Sequence, residues 1–286
     1  MSDAKALRGL LGERSAVLAP GVFDGLSASL TRGEGFRAAY MSGAAVAATL
    51  GLPDVGLATQ TEMADRVALI ARVLGLPLVA DADTGFGDAT HVHRTVRLYE
   101  RAGAAGIQLE DQVFPKRCGH LDNKQVVAPA SFAAKIEAAV EARTDPDTVI
   151  IARTDARATH GFEEAVRRVN LYAEAGADMV FLEAPQTAEE IMAVPGAVKA
   201  PALFNLVPRG KTPAVSLEQL REAGYALAIL PVMSIGAAAF AMRSALARAA
   251  GGDVSTDGQD SPHELFASVG LDFWEDLRER FSGAGG

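Results

Sequence analysis

The chain has 286 residues, 49% of them hydrophobic, with a formal net charge of -9 and a single cysteine. That length and apolar fraction predict a sizeable core in one large domain or two small ones. The acidic balance excludes nucleic acid and anionic membranes, which need a basic footprint; one cysteine excludes an internal disulfide and fits a reducing cytoplasm.

The opening segment, MSDAKALRGLLGERS, mixes charges throughout, lacks the apolar stretch of a signal peptide and reads as a helix leading into the first strand. No window reaches the roughly 18 apolar residues of a membrane span, so a soluble protein is expected. Short apolar runs then recur, and most are followed by a longer segment of helical periodicity. The predicted strands are 17–22, 38–42, 78–83, 106–110, 149–155, 179–183, 202–207 and 226–232. The predicted helices lie at about 25–34, 60–75, 89–103, 130–143, 162–176, 187–194, 216–223 and 235–250. Gly103, Gly176 and Gly224 stand where a helix end needs a left-handed residue before the next strand. Eight such units predict an α/β fold, a closed parallel (β/α)8 barrel over residues 1–250. An open doubly wound sheet is the alternative, weakened in its nucleotide-binding form because no GxGxxG follows the first strand.

Residues 251–262 (GGDVSTDGQDSP) read as a linker. In 263–286 a stripe of Leu265, Phe266, Val269, Phe273, Trp274, Leu277 and Phe281 predicts an amphipathic helix that must cover itself on its own barrel or on another subunit.

In a parallel barrel the chemistry sits at the C-terminal strand ends, and here those ends carry Ser42, Asp81, Asp83, Glu110, Arg153, Asp155, Glu183 and Asn205. Asp81 and Asp83 are two apart, so in a continuous strand both face one way and call for a cation between them. With Glu110 they make three hard oxygen ligands, suited to Mg2+ or Mn2+ that keeps several waters. The competing reading has these acids capping helices or pairing with Arg153, and for Asp111 and Asp155 the two readings are balanced. Arg153 suits a substrate carboxylate or developing oxyanion, or else a salt bridge at the barrel mouth. Ser42 and Gly43 offer a hydroxyl and backbone amides to a carboxylate. Cys118 lies in PKRCGH, between Lys116, Arg117, Gly119 and His120. A lone cysteine is usually a small buried hydrophobe, but this segment is too polar for a core strand, and its cations favour a reactive thiolate. His91 and His93, two apart on a predicted helix, face differently and are expected at the surface. The Gly-rich DTGFG reads as a tight strand exit.

Taken in order, YMSG (40–43), LGLPDVG (50–56), DADTGFG (81–87), LEDQ (109–112), KRCGH (116–120), ARTDA (152–156) and GKTP (210–213) resemble the isocitrate lyase and phosphoenolpyruvate mutase superfamily. The resemblance is strongest over about 17–248. KRCGH is similar to the branch of 2-methylisocitrate and 2,3-dimethylmalate lyases, and a loop of this type also occurs in carboxyphosphonoenolpyruvate phosphonomutase. The resemblance implies a TIM-type barrel, a final helix exchanged between subunits and a homotetramer. It implies Mg2+ at Asp81, Asp83 and Glu110, partly through water, and a 2-oxo acid moiety bound by Ser42, Gly43 and Arg153, with Ala44, Lys116 and Gly119 beside them. Cys118 matches an acid-base cysteine; Tyr40, Asp54, His120, Glu183 and Asn205 match pocket positions, among which Tyr40, Asp54 and Glu183 are candidates for the base. The implied activity is cleavage of a 2-hydroxy di- or tricarboxylate, of 2-methylisocitrate or 2-alkylmalate type, to a 2-oxo acid such as pyruvate and a second carboxylic acid. The same site would serve an oxaloacetate decarboxylase or phosphonomutase. A barrel kept only as a binding module predicts a missing acid or cysteine, and none is missing. NLVPRGKTP departs from the family pattern, with Pro208 where an acid is expected and Arg209 after it.

Overall fold

The structure, a computed structural model, describes residues 2–119, 121 and 123–282. Eight strands form a closed parallel barrel in sequence order: β1 Val17–Val22, β2 Ala39–Met41, β3 Leu78–Asp81, β4 Gly106–Glu110, β5 Val149–Thr154, β6 Met179–Leu182, β7 Ala202–Asn205 and β8 Leu227–Leu230. β8 returns to β1 with Val17 opposite Leu227. Nearly every strand residue is buried, as expected of a sheet whose two faces are both covered.

The helices are α1 Asp3–Gly12, α2 Gly25–Gly33, α3 Gly43–Thr49, α4 Gln60–Leu74, α5 Ala89–Ala102, α6 Pro129–Ala142, α7 Arg157–His160, α8 Phe162–Glu174, α9 Ala188–Ala197, α10 Leu217–Ala223, α11 Met233–Ala250, α12 Pro262–Ala267 and α13 Leu271–Ser282. α4 and α10 start with reciprocal side-chain caps, Thr59 with Glu62 and Ser216 with Gln219. Gly103 and Gly224 end α5 and α10 in the left-handed conformation. α1 closes the N-terminal end of the barrel: Leu7, fully buried, packs with Val17, Val79, Val149 and Leu227 at the strand starts. That plug leaves the C-terminal end as the open one.

The structure changes several sequence expectations. α3 and α7 had not been anticipated; a Ser42 cap ahead of a Gly-Ala run was the signal for α3. β3 stops at Asp81, and Asp83 sits at φ +49°, so the two acids do not alternate along one strand. Instead the Asp83 amide donates to Asp81 Oδ1 at 3.0 Å, in a turn that folds the second carboxylate back toward the first. The C-terminal stripe is not one helix either: Gly270, at φ +95°, separates α12 from α13. α11 to α13 bury none of their side chains within the chain, and Phe240, Leu246, Trp274 and Phe281 are between 63% and 71% exposed. His91 is exposed, with Nδ1 2.9 Å from Asp88 Oδ1. Among the described residues no helix is long and apolar enough to cross a membrane.

Candidate functional site

A cavity at the open end of the barrel is lined by Tyr40, Ser42, Ala44, Asp54, Asp81, Glu110, Lys116, Cys118, Gly119, Arg153, Glu183 and Asn205. Residues from β2, β3, β4, β5, β6 and β7 are thus brought together with the loop after β4, as strand ends in a closed barrel must be. Asp83 and Gly43 lie just behind this lining. The Gly43 amide, expected to be open to a ligand, instead donates to Asp81 Oδ2 at 3.2 Å. Ser42 caps α3 by accepting from the Ala45 amide. His120 lies outside the described residues.

Arg153 is engaged by three acids. Its Nε and Nη2 donate to the two Asp155 oxygens at 2.9 and 3.1 Å, Nη1 stands 3.3 Å from Glu110 Oε2, and Nη2 stands 3.9 Å from Glu183 Oε2. Its guanidinium also stacks over the Phe181 ring at 5.1 Å. The neighbouring carboxylates outweigh burial and hold Arg153 protonated. Lys116, almost fully buried, bonds Asp54 and stands 2.8 Å from Asp83 Oδ1. Tyr40 donates to Gln108 Oε1 at 3.0 Å, and Gln108 Nε2 donates on to Asp81 Oδ1 at 3.3 Å. Burial, with Asp81 next, pushes the Tyr40 phenol well up.

The acids fit a divalent cation. Burial is the largest cause raising both Asp83, to about 6, and Glu110, well above its ordinary range; nearby Asp81 adds repulsion in each case. Glu110 Oε1 is buried with no hydrogen-bond partner among the described residues. Buried, mutually repelling carboxyls with an unsatisfied oxygen gain from a cation. Among the described residues no three His, Cys, Asp or Glu side chains are grouped to hold a metal directly. An ion that keeps much of its water and meets the acids largely through it suits that spacing.

Sequence reasoning left Asp155 undecided and passed over Gln108 and Lys124. Gln108 was detectable as an amide in the middle of an apolar strand, GIQLE. Lys124 was not: it gains its place only through folding, where its Nζ reaches Asp155 at 2.7 Å and the Gly119 carbonyl.

An eight-stranded parallel barrel with acids, an arginine and a cysteine gathered at its C-terminal mouth has the layout of a barrel enzyme. Comparison with known proteins makes the assignment narrower. The phosphoenolpyruvate phosphomutase family matches residues 7–250, and the chain belongs to that family. It is 50% identical over 240 residues to the 2-methylisocitrate lyase of Aeropyrum pernix, a match covering 84% of this chain and 77% of the relative. A solved oxaloacetate acetylhydrolase, in complex with 3,3-difluorooxalacetate, superposes with a TM-score of 0.93 at 38% identity, covering 100% of this chain and 98% of the other. A phosphonopyruvate hydrolase solved with oxalate and Mg++ gives a TM-score of 0.88 at 32% identity, covering 98% and 99% of the two chains.

Proposed function

We propose that this protein is a divalent-metal-dependent carbon-carbon lyase that cleaves a 2-hydroxy di- or tricarboxylate, of 2-methylisocitrate or 2-alkylmalate type, into a 2-oxo acid such as pyruvate and a second carboxylic acid. The observation that carries the reading is the close approach of the cysteine loop to the substrate-facing cation: Gly119 lies against Arg153 and Glu183, which puts Cys118 on the rim of the acid-lined cavity.

Asp81, Asp83 and Glu110 would hold the ion, Mg2+ or Mn2+, which when bound supplies Lewis-acid stabilisation of negative oxygen. Arg153 orients the substrate carboxylate with the guanidinium edge that Asp155 leaves to the cavity, with Ser42, Ala44 and Lys116 as its neighbours. A carboxylate removes the hydroxyl proton, the carbon-carbon bond breaks as the 2-oxo group forms, and the bonding electrons pass to the carbon beside the departing carboxylate. Cys118 returns a proton to that carbon. Tyr40 is a poor base here because burial keeps its phenol protonated, and Asp54 is tied to Lys116. Those constraints favour Glu183, whose carboxylate accepts from Asn205 Nδ2 at 3.2 Å inside the cavity. His120, next in sequence to Gly119, is retained from the sequence as a candidate catalytic residue of the pocket.

Pro208 and Arg209 line a second hollow, which shares Asn205 and Val207 with the main cavity. Pro208 where relatives carry an acid, followed by the cation Arg209, supports a far end of the substrate unlike theirs. The oxaloacetate acetylhydrolase likeness favours a second reading, in which the same site acts on oxaloacetate. The exposed stripes of α11 to α13 support assembly into a homotetramer by exchange of the C-terminal helices, and one cysteine in an acidic chain supports a cytoplasmic location. The test is purified protein with Mg2+ against 2-methylisocitrate, isocitrate, 2,3-dimethylmalate and oxaloacetate, following 2-oxo acid release with an EDTA control. Metal-dependent pyruvate with an equimolar second acid is expected; consumption of oxaloacetate alone overturns the lyase reading.

A further inference from the structure

The carboxylate of Asp155 joins two parts of the site that come from separate stretches of chain. One oxygen accepts from Arg153 Nε at 2.9 Å; the other accepts from Arg153 Nη2 at 3.1 Å and from Lys124 Nζ at 2.7 Å. Lys124, 1% exposed, also donates to the carbonyl of Gly119, next to Cys118. Neither Asp155 nor Lys124 lines the cavity. Asp155 is itself held from behind: its amide donates to Asp111 Oδ1 at 3.0 Å, and Asp111 is gripped by Thr154, Arg168 and Tyr172. The Asp155 carboxyl is fully ionised at neutral pH: burial would raise it, but Arg153 and Lys124 overcome that and hold it at about 2.

We propose that Asp155 is a positioning residue that sets the cysteine loop and the Arg153 guanidinium in one register, acting on the loop through Lys124. The inference rests on the reading that Arg153 and Cys118 face the substrate. Its physical content is coupling. A guanidinium has free rotation about its stem, and a loop has free backbone dihedrals. A shared buried carboxylate removes both freedoms at once and so fixes the distance between the carboxylate-binding cation and the proton donor. A buried ion triad that merely held the barrel together would carry no such linkage between the two.

The experiment compares full-length wild type, Lys124→Met, Asp155→Asn and the double variant, all with Mg2+. Amide hydrogen exchange is read over 113–126 and, as a control, over α6 and α8; oxalate affinity is measured by calorimetry, and kcat and KM with whichever substrate the wild type turns over. Lys124→Met is expected to speed exchange in 113–126 alone and to lower kcat roughly 10²-fold with KM little changed, since the displaced group is the proton donor. Asp155→Asn is expected to do the same and also to weaken oxalate about tenfold through Arg153, a loss of ~1.4 kcal/mol. The double variant should match Asp155→Asn, because both changes cut one connection. Additive losses, or Lys124→Met leaving loop exchange and kcat unchanged, overturn the proposal. If Asp155→Asn does not fold, Lys124→Met alone decides on those two readouts. A wild type that neither binds oxalate nor turns over any 2-hydroxy acid would sink the lyase reading, while the exchange comparison would still decide whether Lys124 tethers the loop.

Discussion

Gly119 lies so close to Arg153 that a β carbon placed on it would stand 2.5 Å from Arg153 Nη2 and 2.5 Å from Glu183 Oε1. The requirement is one of space, since the backbone there avoids the left-handed region. Gly119→Ala must therefore displace either the cysteine loop or the ends of the Arg153 and Glu183 side chains, while leaving the barrel core untouched. The expected result is an unchanged circular dichroism spectrum and a kcat/KM lowered by about 10² or more, because misplacement of a reacting group by about 1 Å costs that much. Full activity in this variant would remove the central geometric support for the mechanism.

The metal acids give a prediction that does not depend on turnover. An ion that binds the folded chain alone stabilises it by mass action, so the thermal midpoint of EDTA-treated protein should climb with the logarithm of added Mg2+ or Mn2+. Asp81→Asn should abolish most of that climb. Its own apo midpoint should fall little, since replacing one of several crowded buried carboxylates relieves repulsion as well as removing hydrogen bonds. A midpoint blind to divalent ions in the wild type would count against the assigned acids.

The barrel was readable because the strands are short, mainly apolar runs, with β2 to β7 ending on or next to a polar residue, and because turn glycines such as Gly103 and Gly224 mark where helices stop. The same pattern made Asp81, Glu110, Arg153, Glu183 and Asn205 visible as strand-end groups. What sequence spacing could not supply is backbone direction past the strand. Asp83 was placed by alternation, whereas the chain turns through φ +49° there and reaches the same neighbourhood by another route. Lys124 was equally hidden, since its contact with Asp155 spans 31 positions and depends on how the loop after β4 folds back.

The acid-base assignment separates two carboxylates. Asp54 is bonded to Lys116, whereas Glu183 faces Arg153 and Asn205. Glu183→Gln should lower kcat by about 10² to 10⁴, the range for loss of a general base, while Asp54→Asn should act more on KM by freeing Lys116. The reverse pattern in steady-state kinetics would transfer the base to Asp54.

Behind β5, Asp111 offers a stability prediction away from the cavity. Its buried carboxylate accepts from Thr154 at 2.6 Å, Tyr172 at 2.8 Å and Arg168 at 3.1 Å. Asp111→Ala removes the buried partner of the Arg168 Nη1 end, leaving that guanidinium with Glu164, the Val127 carbonyl and a 3.5 Å contact to the Tyr172 hydroxyl. The expected cost is about 3 to 5 kcal/mol in urea unfolding, against about 1 to 2 kcal/mol for Tyr172→Phe, which removes the hydroxyl's bond to Asp111 and its 3.5 Å contact with Arg168 but no charge. Equal costs would mean that the ion pair contributes nothing beyond a single hydrogen bond.

The outer helices supply the last prediction. α13 exposes Phe273 at 58% and Trp274 at 63%, with the two rings in edge contact at 5.2 Å; α11 exposes Phe240 and Leu246, and between α2 and α11 an apolar hollow is lined by Leu26, Leu30 and Met242. A monomer would hold this much apolar area in water at about 25 cal/mol per Å2, which favours covering it with another copy of the chain. Light scattering at micromolar concentration should therefore find a multimer for the wild type. Phe273→Glu combined with Trp274→Glu should yield smaller species, because in the isolated chain neither side chain is buried and the change strikes assembly before folding. Since α13 has no buried side chain and the α12–α13 junction meets the barrel through the Ser29 hydroxyl, which donates to the Ser268 carbonyl at 2.7 Å, loss of assembly should leave the barrel's own thermal transition in place. A monomeric wild type would refute the exchange of C-terminal helices, and a smaller double variant that has also lost its barrel transition would show that the barrel depends on its neighbours to stay folded.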